Sequence, residues 1–197
     1  DQAELNSKIG FIFDKPFTSA GIISQARYHN QETLFGGSTY SGSQYSLYFK
    51  AAFQTTIIDT TKMIKIGLTY SSDRYDEALL LLRPAAPMID NKHFARTDKF
   101  IGAYSELTVE HNPRLSSIFG YRADYSRAFG FLHTPRINVR YKPTDNTAIR
   151  VSAGKAYRLA NPISENISYL FSSRNLALEN YNSLLPEEAI NYGANIN

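Results

Sequence analysis

Ile137-Asn-Val-Arg-Tyr141 runs into Lys142-Pro-Thr-Asp-Asn146 and out again through Ile149-Arg-Val-Ser-Ala153. Ile137, Val139 and Tyr141 share one parity, and Arg136, Asn138, Arg140 and Lys142 share the other. Alternation of this kind belongs to a strand with one apolar and one polar face. Pro143 and Asp145-Asn146 supply a tight turn. Ile149, Val151 and Ala153 then resume the alternation against Arg150, Ser152 and Gly154. The stretch therefore predicts a β-hairpin, amphipathic from face to face.

The same period continues in both directions. Upstream, Phe119, Tyr121, Ala123 and Tyr125 oppose Arg122 and Asp124; Ile101 to Val109, Ile64 to Tyr70, Tyr45 to Phe53, Ala20 to Tyr28 and Ile9 to Phe13 alternate likewise. Downstream, Ile190, Tyr192, Ala194 and Ile196 alternate with Asn191, Gly193, Asn195 and Asn197. This predicts an all-β, antiparallel up-and-down meander of about nine strands, several of them longer than the roughly 5–6 residues usual in soluble sheets. The connections alternate too. Tight turns are expected at Asp14–Thr18, Asp59–Lys62, His111–Arg114 and Lys142–Asn146, and long links at about 30–43, 73–98, 126–134 and 157–186. In a meander, odd and even connections lie at opposite ends. Short turns on one side and long loops on the other mark a transmembrane β-barrel. A soluble sandwich or lipocalin-like barrel accounts for the alternation but poorly for this asymmetry.

Composition narrows the chemistry. The chain has 197 residues, 43% hydrophobic and 20% charged, which argues against disorder. No Cys is present, so disulfides, thiolate nucleophiles and Cys-ligated metals are excluded. A net charge of +3 falls short of the clustered basic excess of a nucleic-acid binder. The four His lack metal-site spacing, and no GxSxG elbow or P-loop occurs. Parity offers no Ser–His pair on one face, so no catalytic residue, cofactor or metal is expected and the chain reads as a non-enzyme. Asp73-Arg-Tyr-Asp-Glu77 gathers carboxylates in what reads as a loop, with too few oxygen ligands for Ca²⁺. Aromatic residues near strand ends, Phe11, Phe53, Tyr70, Phe119 and Tyr141 among them, would form exposed interfacial girdles.

The run His133–Asn166 resembles the barrel of TonB-dependent outer-membrane receptors. The resemblance rests on Pro135-Arg136, Tyr141, Pro143, Asn146-Thr147, Arg150, Ser152-Ala-Gly-Lys155, Tyr157-Arg158, Asn161-Pro162 and Glu165-Asn166, with Pro186-Glu187 and Asn191-Tyr-Gly193 opening a following strand. Pro135, Arg136, Gly154, Arg158, Pro162 and Glu165 carry the motif; Ala156 stands where a second Gly is frequent. The resemblance is good over about 98–197 and architectural over 1–97. It implies a receptor of the bacterial outer membrane for a scarce nutrient complex, most often a ferric siderophore, with haem or cobalamin next. It also implies a TonB complex, a plug domain and outer-membrane lipid as partners, and no nucleic acid. Tyr40, Arg74, Tyr75, His93 and Arg158 become loop candidates for ligand binding, and Arg122, Arg136, Arg140 and Arg150 become lumen residues facing the plug.

Residues 1–197 are then expected to be a partial β-barrel domain of a larger receptor, without plug or terminal strands. Such a sheet would leave two edges to be paired. The alternative is a small self-contained outer-membrane barrel with a structural or adhesive role, whose first and last strands pair with each other. The mass of the natural protein extracted from the outer membrane separates the two: several times 22.2 kDa for a plugged receptor, near 22.2 kDa for a small barrel.

Overall fold

The computed structural model describes residues 1–35, 37–82, 89–166 and 184–197. Nine strands follow one another: β1 (Gln2–Ile12), β2 (Ser19–Phe35), β3 (Ser38–Thr56), β4 (Lys62–Leu82), β5 (Ile89–Asn112), β6 (Leu115–Ser126), β7 (Gly130–Thr144), β8 (Thr147–Arg158) and β9 (Glu187–Ile196). One short helical turn, α1 (Pro162–Glu165), follows β8. All nine strands form one sheet in sequence order, each antiparallel to the next. Among the described residues β1 and β9 do not pair with each other. The all-β meander expected from the alternation is the observed fold.

The ladder register turns parity into two surfaces. Ile9, Ile22, Ala51, Leu68 and Ala103 occupy one row across β1 to β5. Phe119, Ile137, Ala153 and Tyr192 continue the same side across β6 to β9. Leu68, Ile101, Phe119, Tyr121, Val151 and Tyr192 are all exposed on it. The girdle aromatics Phe11, Phe53, Tyr70, Phe119 and Tyr141 are exposed as expected. The other side carries Lys50, Lys65, Glu106, Arg122, Asp124, Arg136, Arg140 and Arg150. This polar side is the concave one: Ile163, beyond β8, is buried against Phe35, Tyr40 and Leu79 of β2–β4. The sheet must curl around its polar face for the end of β8 to reach so far. An apolar convex face and a wet concave one suit a wall between lipid and a water-filled lumen.

The turns at one end are tight, as expected. At the other end the expected long links are largely paired strand. β2 and β3 pair up to Phe35↔Ser38, and β4 and β5 up to Leu82↔Ile89. Thus most of 30–43 and 73–98 is hairpin, and only residues 127–129 separate β6 from β7. Above the apolar band neither face of these arms needs to be apolar, so the alternation fades while the hydrogen-bond ladder continues. Residues 83–88 and 167–183, parts of the expected long links, lie outside the described residues.

Glycines on the concave face admit close crossings. A Cβ at Gly67 would lie 2.6 Å from the Ala51 carbonyl oxygen and 2.5 Å from the Tyr104 ring, whereas one at Gly193 meets only Ser152 Oγ at 3.6 Å. Gly67→Val is expected to cost about 2–4 kcal/mol of stability and Gly193→Ala less than about 1 kcal/mol. The urea midpoint of the refolded protein in detergent checks both.

Candidate functional site: the concave wall and its mouth

Residue rows running across the strands organise the concave wall. In one, Gly67, Tyr104, Arg122 and Thr134 stand opposite one another on β4 to β7. In the next, Thr69, Gly102, Asp124 and Leu132 do so. Arg122 grips Asp124 with Nε and Nη2 at 2.6 and 2.7 Å and donates from Nη2 to Thr69 Oγ1 at 3.0 Å. That bridge crosses β5 directly over Gly102, where a Cβ would fall 2.0 Å from Asp124 Oδ1. Tyr104 lies over Gly67 and receives the Lys50 ammonium on its ring, 5.0 Å from the centroid. A third row holds Glu106, Gly120, Arg136 and Gly154. Arg136 lies flat across Gly120 and pairs with Glu106. Small residues in neighbouring strands thus let long polar side chains lie along the wall rather than project from it. The resulting hollow has a volume of about 590 Å³ and is lined by Lys50, Tyr104, Arg122, Asp124, Arg136 and Arg158 among others.

Toward the loop end the wall becomes a mouth. The Arg96 guanidinium stacks on Tyr75, 4.8 Å from the ring centroid, and its Nε lies 3.0 Å from Asp98 Oδ2. Its Nη1 also donates to the Ala160 carbonyl at 3.0 Å. Asp73 accepts from Ser46 Oγ at 2.5 Å and stands directly opposite Asp98. Tyr40 Oη donates to Glu77 Oε1 at 2.9 Å in a buried contact. Ile163 closes this corner at 3% exposure, with Phe94 packed against the same cluster. Asn161 N donates to Glu165 Oε1 at 3.1 Å, and Arg158 pairs with Glu165. The Asn161 N–H first, and Arg158 after it, hold the Glu165 carboxyl below its ordinary value.

The residues proposed from sequence divide between the two faces. Tyr40, Tyr75 and Arg158 are on the concave side of the mouth. Arg74 and His93 stand on strands of the other parity, both exposed, and His93 Nε2 bonds Asp76 Oδ1 at 2.6 Å. None of Tyr40, Arg74, Tyr75 or His93 is in a loop, because β3, β4 and β5 run through them. The Asp73–Glu77 carboxylates are likewise split by strand parity, so they do not converge. Arg122, Arg136, Arg140 and Arg150 share the concave face, but only the first two have carboxylate partners among the described residues. Arg140 and Arg150 stand opposite each other, in a groove of about 600 Å³ with Ser116, Asn138 and Asn195. Of the motif residues, Gly154 adjoins Arg136 and Pro135, whose carbonyl would be 3.3 Å from a Cβ there. Pro162 opens α1.

Sequence reasoning missed Arg96, Asp98, Glu106 and Ile163. Running the parity of Tyr104 back through Phe100 would have put Arg96 and Asp98 on the polar face. Nothing local could have linked Ile163 to Tyr40. It also missed a Ser–His contact: the register shift between Glu110 and Asn112 leaves His111 unpaired in the ladder, and its Nε2 lies 2.8 Å from Ser117 Oγ. No carboxylate orients that ring among the described contacts, so a triad is not formed.

Comparison with known proteins agrees with this geometry. Residues 5–197 match the family model of the TonB dependent receptor-like β-barrel. No curated protein is a significant match. A siderophore receptor, PirA, from Acinetobacter baumannii superposes with a TM-score of 0.62 at 13% identity over 81% of this chain and 26% of its own. The ferric citrate transporter FecA gives 0.65 at 9% over 99% of this chain and 32% of its own. FpvAI in complex with pyocin S2 gives 0.70 at 11% over 99% and 29%. This chain therefore spans between about a quarter and a third of these three solved chains.

Ile163→Ala is expected to cost about 2–4 kcal/mol at the mouth. Hydrogen exchange at residues 160–166 should speed up while the β6–β8 amides stay protected. Acid should act similarly. Glu165 is lowered, so its stabilisation is present above the ordinary carboxylate value and is lost as pH falls through the lowered one. Exchange at Asn161 should therefore rise in the wild type as the pH falls below the ordinary carboxylate range, and Glu165→Gln should remove that pH dependence.

Proposed function

We propose, from the premise that the chain belongs to the TonB dependent receptor-like β-barrel family, that it forms part of the wall of a receptor that imports a scarce nutrient complex, with a ferric siderophore as ligand. Barrels of this family are transporters of the outer membrane rather than enzymes. The observation that carries the reading is the division of one sheet into an exposed apolar convex face and a concave face lined with Lys50, Arg122, Arg136, Arg140 and Arg150. Such a wall holds a water-filled, polar path through lipid. Residues 1–197 are a partial barrel of a longer receptor, and β1 and β9 pair with its remaining strands.

The mechanism requires binding and gating, with no covalent step. Tyr75 and Arg158 face the mouth and meet the ligand first, while Tyr40, buried against Ile163 and bonded to Glu77, shapes the corner behind them. The phenol of Tyr75, stacked by Arg96, presents a hydroxyl at a fixed position. Guanidinium groups along the wall, although ion-paired, still offer N–H donors to the anionic oxygens that chelate ferric iron. Below the mouth, Arg140 and Arg150 face a plug, and the TonB complex supplies the energy that moves it. A haem ligand has less support, since His93 stands on the convex face, bonded to Asp76.

The test is uptake of radioactive iron presented as a panel of siderophores. The full-length gene is expressed in a Gram-negative strain lacking its own receptors, with and without functional TonB. Uptake of at least one complex, abolished without TonB, is expected. Tyr75→Ala should raise the half-saturating concentration about tenfold, the loss of one good polar or stacking contact. Absence of uptake for every iron complex, with the protein folded in the outer membrane, overturns the reading.

A further inference from the structure

The upper part of the convex face carries charge that the sheet itself does not answer. Arg74 on β4 and Lys99 on β5 are both exposed on this side. Arg74 lies opposite Thr97 and Lys99 opposite Ser72. The two cations are therefore diagonal neighbours, about 7–8 Å apart at the backbone. Arg127 is exposed in the adjoining turn, one residue past Ser126. Among the described residues, none of the three has a carboxylate partner. Asp76, the acidic residue two positions from Arg74 on the same side, is engaged by His93.

Their height along the strands says what they face. Arg74 lies twelve positions beyond Lys62, the first residue of β4, and Lys99 lies thirteen before Asn112, the last of β5. A tilted strand crosses the hydrocarbon layer in about 9–11 residues. The aromatics next to them in height are Tyr45, eleven positions before the end of β3, and Tyr125, ten beyond the start of β6; both are exposed. Amphipathic rings mark the boundary between hydrocarbon and headgroups. Arg74 and Lys99 thus stand in the headgroup zone at the loop end, on the side turned away from the lumen, with Arg127 in the turn that follows the neighbouring strand β6. Adjacent like charges repel unless an anion lies between them. A guanidinium offers a phosphate a bidentate fork and an ammonium adds a point charge.

We propose that Arg74, Lys99 and Arg127 form a binding site for a phosphate group of an outer-leaflet glycolipid. Arg74, which sequence alone offers as a ligand-binding residue of the mouth, is here assigned to the lipid. The site anchors the tall β4–β5 hairpin to the membrane surface from outside, while Arg96 and Ile163 hold it from within.

The proposal rests on the outer-membrane reading above, and the test separates the two. Full-length protein, purified in detergent from the outer-membrane fraction, is titrated with diphosphorylated lipid A and with its dephosphorylated form. Binding is followed by native mass spectrometry. The unaltered protein should prefer the phosphorylated lipid. Lys99→Ser should weaken that binding about fivefold, and Arg74→Ser with Lys99→Ser about twenty- to thirtyfold, with the dephosphorylated lipid unaffected. Arg140→Ser, on the concave face, should change neither. A heat-modifiable gel shift verifies that each variant is folded, and Lys99→Ser alone serves if the double variant is not. Unchanged lipid binding in a folded variant overturns the site. So does equal binding of the dephosphorylated lipid, or displacement by millimolar inorganic phosphate, which would make it a general anion site. Absence of the unaltered protein from the outer-membrane fraction overturns the receptor reading and this proposal together.

Discussion

Backbone hydrogen bonding in a medium without water is the constraint on which the rest depends. In hydrocarbon every N–H and C=O must find a partner within the protein, and a strand can find it only on its neighbours. The chain meets this with one continuous antiparallel sheet of nine strands, its register shifting only near the tight turns, at Glu110/Asn112 and Tyr141/Thr144, among the described residues. Once the ladder is fixed, parity has no freedom left. A slip of one residue would send Leu68 and Phe119 into the lumen and Arg122 into lipid. The cost of burying that charge makes the register far more specific than the side chains of any one strand could.

Parity also decides how the concave wall can be built. Its polar side chains are long, and a wall whose arginines all projected inward would fill its own lumen. The glycines resolve this. Gly102 lets the Arg122–Asp124 bridge reach Thr69 across β5, Gly120 lets Arg136 lie down toward Glu106, and Gly67 receives Tyr104. Each sits directly opposite the residue it accommodates or beside that residue's partner. These positions therefore serve space rather than backbone conformation, since none of the three has a positive φ.

The legible part of the sequence was the part that lipid constrains. Between the tight turns and the upper aromatics one face must be apolar, and there Ile137–Tyr141 or Ile64–Tyr70 announce themselves. Beyond the aromatics both faces meet water, so Asp73-Arg-Tyr-Asp-Glu77 reads as a loop although it pairs in full with Phe94–Asp98. Hydrogen bonds carry that part of the ladder, and they leave little trace in residue type. The mouth was illegible for a different reason. Arg96 meets Ala160 across 64 residues of sequence, and Ile163 is buried only because the sheet curls. Curvature is a property of the assembled ladder and is written in no single strand.

The wall's charges follow from the same geometry, and their distribution bears on what the lumen holds. Toward the mouth, Arg96, Arg122, Arg136 and Arg158 are each matched by a carboxylate on the wall itself. Toward the tight turns, Arg140 and Arg150 face each other with no carboxylate partner among the described residues, and Arg150 lies beside the Asn197 side-chain amide. Two like charges directly opposed on a sheet destabilise it unless something between them carries the opposite sign. In an open channel, water and salt screen the pair at small cost. With a plug seated there, as the proposed function has it, the water is displaced and screening fails. The segment covering this groove must then bring its own carboxylates. The mouth makes no such demand, because its arginines are already held; on the proposed function it discriminates among ligands by its shape and by the Tyr75 hydroxyl more than by bare charge.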